Sequence, residues 1–428
     1  MTGHDTAQRT SAAAPAGCGG HGAPAQRLSE ALARIRERLG PVEGHETVAV
    51  REALGRVSYD DIAAPLDVPA HANSAMDGYA LAGSALPAAG ERTFRVAGTA
   101  WAGRPWVGAV TDDACVRIMT GAPLPAGADT VVMQEDVRRE GDSAVIGAGH
   151  RPGQHLRLAG EDLRAGAIAL AAGSLLRPAH LGLLASLGIA ELRVRRRPRV
   201  AFFSTGDELQ PVGRPLGEGQ IHDSNRYTLW GMLKRLGVEL LDLGTVRDVE
   251  EELQHALATA AARADVIITS GGVSVGEADF VTLTLRRMGE VGFWTVAMKP
   301  GRPIAFGRIG KAWLFGLPGN PVSAMATFYQ VVQPALLQLM GIGEPDPPLL
   351  VRAVCRSRLK KSPGRREFQR GIMTPIGEGR YEVTSTGQQG SGILRSMTEA
   401  NCFIVLPEES GRIEPGNEVL VQPFSALC

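Results

Sequence analysis

The sequence predicts a multidomain α/β plus β protein, in which a central domain with a mostly parallel sheet lies between two β-rich regions. Three observations predict this class. The chain has 428 residues, whereas one ordinary domain has roughly 100–200. Apolar runs alternate with amphipathic helical segments from Arg199 to Met340. Short apolar runs broken by Gly and Pro stand before and after that stretch, as in small β domains.

The N-terminal part predicts a tail followed by helices. Residues 1–25 are rich in Ala, Gly, Thr and Pro without periodicity, which is typical of a disordered tail. Metal binding by this tail stays an alternative, because it contains His4, Cys18 and His21. Apolar residues recur at helical spacing over residues 27–39, and a second short helix is expected over residues 54–57.

The order of these patterns predicts how the chain is divided. Helical and turn segments flank the first β-rich stretch on both sides, so that stretch is expected to be inserted into a helical linking platform. The predicted units are a platform of residues 26–66 and 151–196, an inserted β-rich domain of residues 67–150, an α/β domain of residues 197–344 and a C-terminal β domain of residues 345–428.

Composition excludes several classes of protein. Lys plus Arg and Asp plus Glu both number 45, so no overall charge would attract the chain to nucleic acid or an anionic membrane. No apolar run approaches the roughly 20 residues that span a bilayer, and no signal peptide is predicted. The five cysteines are scattered and form no CxxC pair, which favours a reducing, cytoplasmic location.

Three loops of the α/β domain stand where a parallel sheet binds ligands, after strands and before helices. Residues 270–276 (SGGVSVG) can bring bare backbone close to phosphate, although such a loop often only turns the chain. Residues 317–323 (LPGNPVS) place Asn at an N-cap and Pro at the first helical position, which suits capping and oxyanion binding equally. Residues 298–303 (MKPGRP) place two cations three residues apart. This pattern is equally typical of a site that binds an anion between the two cations and of a solvated surface turn. Neither GxGxxG nor GxxxxGK[ST] occurs, which disfavours dinucleotide and P-loop sites.

Carboxylates also recur beside turns. Singly, each is more often a cap or a turn former than a ligand. Grouped at the strand ends of one sheet, they would make an oxygen-rich site suited to Mg²⁺ bridging phosphates. These residues are Asp77, Asp162, Asp207, Glu208, Asp223, Asp248 and Asp279.

Ten motifs in the same order resemble those of the molybdopterin molybdenumtransferases, called MoeA in bacteria and present as the E domain of gephyrin-like proteins in eukaryotes. The resemblance extends from Gln26 to the C-terminus and leaves only the tail unmatched. The motifs are NSAMDGYA, IMTGAPLPAGADTVVMQED, LAGEDLRAG, STGDEL, DSNRYTL, TSGGVSVGEADF, MKPGRPIAFG, LPGNPVSAMATFYQ, EFQRG and GSGILRSM.

The resemblance implies an L-shaped homodimer with a MogA-like α/β domain and a barrel-like C-terminal domain. The active cleft is then expected between the α/β domain of one subunit and the inserted domain of the other, which supplies Asp77 and Thr120. Further carboxylates expected to act in catalysis are Asp162, Glu208, Asp248 and Asp279, with Asp248 and Asp279 as Mg²⁺ ligands. Residues expected to bind the pterin and molybdate are Ser270, Gly271, Gly272, Lys299, Arg302, Pro318, Pro321, Ser323, Arg370 and Ser391.

The activity implied is Mg²⁺-dependent insertion of molybdate into adenylylated molybdopterin with release of AMP. The partners implied are an adenylyltransferase upstream and molybdoenzyme maturation proteins downstream. Two alternatives stay open. Related adenylyltransferases have the same α/β domain and similar GG loops, but they lack the other three domains expected here. A gephyrin-like scaffold is the non-catalytic alternative, although no appended partner-binding region is recognisable.

Two positions depart from the family pattern. Bacterial relatives often carry Lys where Thr295 and Arg302 stand, so one cation is lost and one is exchanged. Arg can bind an oxyanion with two parallel hydrogen bonds, but its planar group does not replace an ammonium in every geometry. The two departures therefore bear on the affinity for molybdate and not on the reaction class.

Overall fold

The computed structural model describes residues 25–272, 280–342 and 347–427. The chain divides into two compact units, one of residues His45–Val194 and one formed by the chain on both sides, Met1–Gly44 and Arg195–Cys428. The multidomain α/β plus β class is confirmed. The finer division into four domains stays a prediction.

The unit His45–Val194 is built on a six-stranded sheet. Its strand order is Thr130–Met133, Gly78–Leu81, Ala114–Ile118, Glu91–Ala100, Ser143–Gly147 and Val137–Glu140. Glu91–Ala100 and Ala114–Ile118 run parallel, and the other neighbours run antiparallel. Its remaining elements are strands His45–Ala49, Ile62–Ala63, Asn73–Ser74, Leu156–Arg157, Ile168–Leu170 and Glu191–Arg195, helix Pro178–Ser186 and 3-10 turns Val50–Glu52, Gly83–Ala85 and Gln134–Asp136.

The prediction of a short helix at residues 54–57 is wrong. The chain forms the 3-10 turn Val50–Glu52 earlier, and Gly55 then takes a φ of +72°. That left-handed conformation cannot continue a right-handed helix. Val57 lies in a β-bridge to Leu175, which holds the segment extended.

The second unit contains the predicted α/β sheet. Its strand order is Glu239–Val246, Arg199–Thr205, Val266–Ser270, Ala312–Leu317, Pro303–Ile309 and Glu290–Thr295. The first four strands are parallel to one another. Pro303–Ile309 runs antiparallel to both of its neighbours, so the sheet is mostly parallel as predicted. The helices of this part are Leu28–Arg38, Ser224–Leu236, Glu250–Arg263, Phe280–Met288, Pro321–Thr327 and Gln333–Leu339, and two further strands are Leu209–Gln210 and Ile221–His222.

A π-helical segment, Phe328–Val332, joins the last two of these helices into one continuous helical stretch. Pro334 lies just beyond it. A proline lacks the N–H that an α-helix requires and its ring clashes with the carbonyl four residues earlier, here that of Gln330. The wider π turn accommodates Pro334 without ending the helix.

The C-terminal sheet closes on itself, which confirms the barrel-like prediction. Its strands in order are Arg366–Pro375, Tyr381–Ser385, Val351–Cys355, Glu418–Pro423 and Cys402–Leu406, and the last pairs again with the first. Helix Arg395–Glu399 and the 3-10 turn Phe424–Ala426 complete this part. The strand Glu290–Thr295 of the α/β sheet is followed by a short strand, Met298–Lys299, which pairs with Arg366 and Glu367 at the edge of the barrel.

Two smaller expectations concern cysteines and membranes. Cys115, Cys355 and Cys402 are free and buried. Burial raises the pKa of the Cys115 and Cys402 thiols to about 12, so these side chains act as small apolar groups. Among the helices of the described residues, none combines the length and apolar character that crossing a bilayer requires.

Candidate functional site

Two predicted ligand loops meet at the carboxyl ends of the central strands. Gly271 follows the strand Val266–Ser270, and its N–H donates to the carbonyl of Leu317 at 3.0 Å. A Cβ on Gly319 would lie 3.8 Å from the Cα of Gly271. Gly271 has a φ of +97°, and a Cβ there would lie 2.5 Å from the carbonyl oxygen of Thr205, so only glycine fits. The structure therefore brings residues 270–272 beside residues 317–320.

The loop of residues 317–323 starts a helix as the sequence predicts. Asn320 is the N-cap residue and Pro321 stands in the first turn, although the Asn320 side chain makes no capping hydrogen bond. One N–H of this helix start is already used, because the N–H of Val322 donates to the carbonyl of Ser391 at 3.0 Å. This bond brings the loop of Ser391 to the start of the helix. The Ser323 side chain is buried close to it.

The MKPGRP loop packs against the same helix. Gly301 has a φ of +97°, and a Cβ on it would lie 2.4 Å from Oγ1 of Thr327. The backbone of this loop therefore rests directly on the first turns of the helix. Lys299 and Arg302 are both exposed.

Arg370 has the most unusual surroundings in this part of the chain. Its side chain is only 1% exposed. Nε donates to Oγ of Ser396 at 3.0 Å, and Nη2 donates to the carbonyl of Gly390 at 3.1 Å. No carboxylate of the described residues pairs with it, and burial lowers the pKa of its guanidinium to about 10. A buried cation without a counter-charge is costly unless an anion binds beside it.

Lys299, by contrast, already has a counter-charge. Its Nζ lies 3.3 Å from Oε1 of Glu367, whose side chain is 3% exposed. Nε2 of Gln369 donates to the other oxygen of Glu367 at 2.9 Å. Glu367 was missed in the sequence, although it stands in the quoted motif EFQRG, because the pairing of Met298–Lys299 with the barrel strand is not evident from local pattern.

The carboxylates of the second unit are only partly grouped. The N–H of Asp248 donates to Oδ1 of Asp207 at 3.1 Å, which places these two exposed residues side by side. Glu208 is exposed and folds over Gly206. Asp223 is buried and caps the helix Ser224–Leu236 by accepting from the N–H of Arg226. Asp279, predicted as a Mg²⁺ ligand, lies outside the described residues.

Asp77 and Thr120 form a pair in the unit His45–Val194. Oδ1 of Asp77 accepts from both the N–H and the hydroxyl of Thr120, each at 2.8 Å. The backbone bond, the side-chain bond and the charge of Arg117 hold the pKa of Asp77 below its usual value. Asp162 is exposed, and its N–H donates to the carbonyl of Val68. No hydrogen bond joins Asp162 to the pair within the described residues.

Comparison with known families assigns most of the chain. Residues 26–188 match the MoeA N-terminal region, described as domain I and II. Residues 201–338 match a probable molybdopterin binding domain. Residues 352–424 match the MoeA C-terminal region, described as domain IV.

Individual proteins give the same result. A molybdopterin molybdenumtransferase of Haemophilus influenzae is 44% identical over 401 residues, which cover 94% of this chain and 99% of that protein. A molybdopterin molybdenumtransferase of a Nostoc species is 35% identical over 90% of both chains. The crystal structure of a molybdopterin biosynthesis moeA protein from Pyrococcus horikoshii superposes with a TM-score of 0.81 at 29% identity, covering 94% of this chain and 100% of that chain.

Proposed function

The chain belongs to the MoeA family of molybdopterin molybdenumtransferases, transferases of molybdenum-cofactor biosynthesis, and from this premise we propose the details of its reaction. The reaction proposed is Mg²⁺-dependent insertion of molybdate into adenylylated molybdopterin with release of AMP. The observation that carries the proposal is the buried guanidinium of Arg370, which has no carboxylate partner among the described residues.

Arg370 supports an oxyanion pocket because the loop that it bonds also reaches the start of the helix Pro321–Thr327. The carbonyl of Gly390 accepts from Arg370, and the carbonyl of Ser391 accepts from the N–H of Val322. Ser323 follows Val322 directly. We assign molybdate to this region, with Arg370, Ser323 and Ser391 as donors and Lys299 and Arg302 at the exposed side. Pro318 and Pro321 shape the loop between sheet and helix.

The pterin nucleotide is assigned to the loop of Ser270, Gly271 and Gly272. Gly271 and Gly272 both have positive φ values, +97° and +66°, so this turn exposes bare backbone. The N–H of Gly271 donates to the carbonyl of Leu317, so the N–H of Gly272 and the hydroxyl of Ser270 are the proposed donors to a phosphate oxygen. A molybdate dianion near Arg370 and a phosphate near Gly271 would then be held on neighbouring loops, and this positioning is the main contribution of the protein.

The residues at the sheet edge fit an open Mg²⁺ site. Asp207 and Asp248 lie side by side and offer oxygen ligands, which Mg²⁺ prefers. Within the described ranges, no group of three or more His, Cys, Asp or Glu side chains could hold a metal alone. Mg²⁺ commonly completes its shell with water and substrate phosphates, so two carboxylates suffice for binding. When bound, the ion would neutralise charge on the pyrophosphate.

Asp77, Thr120 and Asp162 are proposed to complete the site of a second subunit in a homodimer. The sharing of sites in a twofold dimer permits complementation. Mixing Asp77→Ala chains with Arg370→Ala chains should restore part of the activity, because each mixed dimer then has one intact site. Failure of recovery after confirmed subunit exchange contradicts a shared site.

AMP release tests the reaction itself. Purified protein is incubated with adenylylated molybdopterin and Mg²⁺, and AMP is quantified with and without molybdate. Molybdate-dependent release of AMP supports insertion, and molybdate-independent release contradicts it. Consumption of ATP with free molybdopterin would instead indicate adenylylation.

A further inference from the structure

Asn225 connects the two loops assigned to the substrates. It lies in the first turn of the helix Ser224–Leu236 and is 9% exposed. Its Nδ2 donates to Oγ of Ser270 and to the carbonyl of Gly319, both at 2.7 Å. One side chain therefore holds the Gly-rich loop and the PGNP loop at a set distance.

The two bonds also determine the direction of the Ser270 hydroxyl. The carbonyl of Gly319 only accepts, so the amide nitrogen of Asn225 must point toward these loops. Both protons of that nitrogen are then used, one on Gly319 and one on Ser270. Because Oγ of Ser270 accepts from Asn225, its own proton points elsewhere. No acceptor for that proton is found in the part of the chain that the structure describes.

Unpaired polar atoms lie beside this connection. Oδ1 of Asn225 and Oγ1 of Thr205 are buried without hydrogen-bond partners. A Cβ on Gly271, the residue after Ser270, would lie 2.8 Å from Oγ1 of Thr205, which places that hydroxyl at the Gly-rich loop. Buried polar groups in folded proteins are nearly always paired, so a local group of exceptions indicates a place completed by a bound molecule or water.

We propose that Asn225 is a positioning residue for the pterin nucleotide. By donating to Ser270, it leaves the Ser270 proton available for a phosphate oxygen of that substrate. By donating to Gly319, it keeps the two substrate loops together. The inference rests on the proposed function, since that function assigns Ser270 to the nucleotide.

Two substitutions separate this role from simple packing. Asn225→Asp keeps the volume, but its carboxylate accepts from Ser270 and turns the proton away from the substrate. Asn225→Ala leaves a cavity, yet Ser270 stays free to donate. The Asp variant should bind adenylylated molybdopterin about tenfold more weakly than the Ala variant. The Kd is measured by calorimetry without molybdate, and the KM for molybdate should be equal in both variants. A packing role predicts the opposite order, because the cavity makes the Ala variant the worse one.

A second background excludes direct charge repulsion. In a Ser270→Ala chain, the difference between Asp and Ala at position 225 should disappear, since no hydroxyl remains to be turned. If the Asp variant still binds tenfold more weakly there, repulsion of its carboxylate by the phosphate or by the carbonyl of Gly319 explains the effect and the proposal is overturned. Equal binding by all variants and the parent also overturns it.

Asn401→Asp is the matched control. Asn401 is an exposed asparagine of the C-terminal barrel part whose Nδ2 also donates to a backbone carbonyl, that of Met373 at 2.8 Å. This variant should bind the nucleotide like the parent. Failure of the parent to release AMP would contradict the proposed reaction, whereas the binding comparison would still decide the role of Asn225.

Discussion

Arg370 and Lys299 are both assigned to the same oxyanion, but the structure gives them opposite surroundings. Arg370 is buried and has no carboxylate partner among the described residues. Lys299 is 46% exposed and lies 3.3 Å from the buried carboxylate of Glu367. A buried, unpaired guanidinium keeps its full charge for a ligand, whereas an exposed and paired ammonium is screened by water and by its partner. The difference predicts that the two cations contribute unequally to molybdate binding.

Arg370→Ala should have the largest effect. A charge-assisted hydrogen bond contributes about 1.5–3 kcal/mol, so its loss should raise the molybdate requirement roughly tenfold to a hundredfold. The measurement is AMP release against molybdate concentration at saturating Mg²⁺. Arg356→Ala, which removes an exposed arginine of the same barrel paired with Glu382, is the control and should titrate like the parent. If the Arg370→Ala chain also titrates like the parent, the molybdate pocket lies elsewhere.

Arg370→Met sharpens the comparison by separating stability from function. Replacing a buried charge by an apolar side chain of similar volume is often neutral or stabilising. We therefore expect the melting temperature not to fall, while the molybdate requirement rises as in Arg370→Ala. A clear drop in melting temperature would show that the guanidinium stabilises the fold through Ser396 and Gly390 and is not reserved for a ligand.

Lys299→Ala should have a smaller effect on molybdate and a larger one on folding. The KM for molybdate should rise roughly threefold to fivefold, because an exposed ion contributes at most about 1 kcal/mol. The melting temperature should fall, since Glu367 is left as a buried carboxylate without its cation. The double variant Lys299→Ala/Glu367→Gln should recover the melting temperature but not the KM. Recovery of both would mean that Lys299 serves only to neutralise Glu367.

Ser323→Ala tests a neutral donor in the same region. A neutral hydrogen bond contributes about 0.5–1.5 kcal/mol, so the molybdate requirement should rise roughly twofold to tenfold. Binding of the pterin nucleotide, measured by calorimetry, should not change. If nucleotide binding weakens and the molybdate titration does not, Ser323 belongs to the nucleotide site.

Thr295→Lys should have the smallest effect and the opposite direction. Thr295 is partly exposed at the end of the strand Glu290–Thr295, opposite Pro303. A lysine there restores a cation that bacterial relatives often carry, and an exposed charge contributes at most about 1 kcal/mol. The KM for molybdate should fall by no more than about fivefold at low salt and return to the parental value at high salt. Glutamine at the same position, similar in length but uncharged, should leave the KM unchanged.

The strands and helices of the α/β part could be predicted because their signals are local. Val266–Ser270 is an uninterrupted apolar run that ends in hydroxyl residues, and its burial on every position agrees with a central parallel strand. The helix start at Asn320 and Pro321 follows from the fixed φ of proline and from the N-cap preference of asparagine. The error at residues 54–57 has the opposite origin, because a few apolar residues do not show whether Gly55 will turn left-handed.

Residue types, their order and the loops that are candidates for ligand binding were therefore determined by the sequence alone. The burial of each side chain and the partners that it bonds were decided by the tertiary structure. Asn225 bonds partners 45 and 94 positions away, and Lys299 pairs across 68 positions. Whether Arg370 or Lys299 keeps an unpaired charge depends on how barrel strands, loops and helices close around them. Burial and long-range pairing are properties of the assembled chain, so no local pattern of residues can contain them.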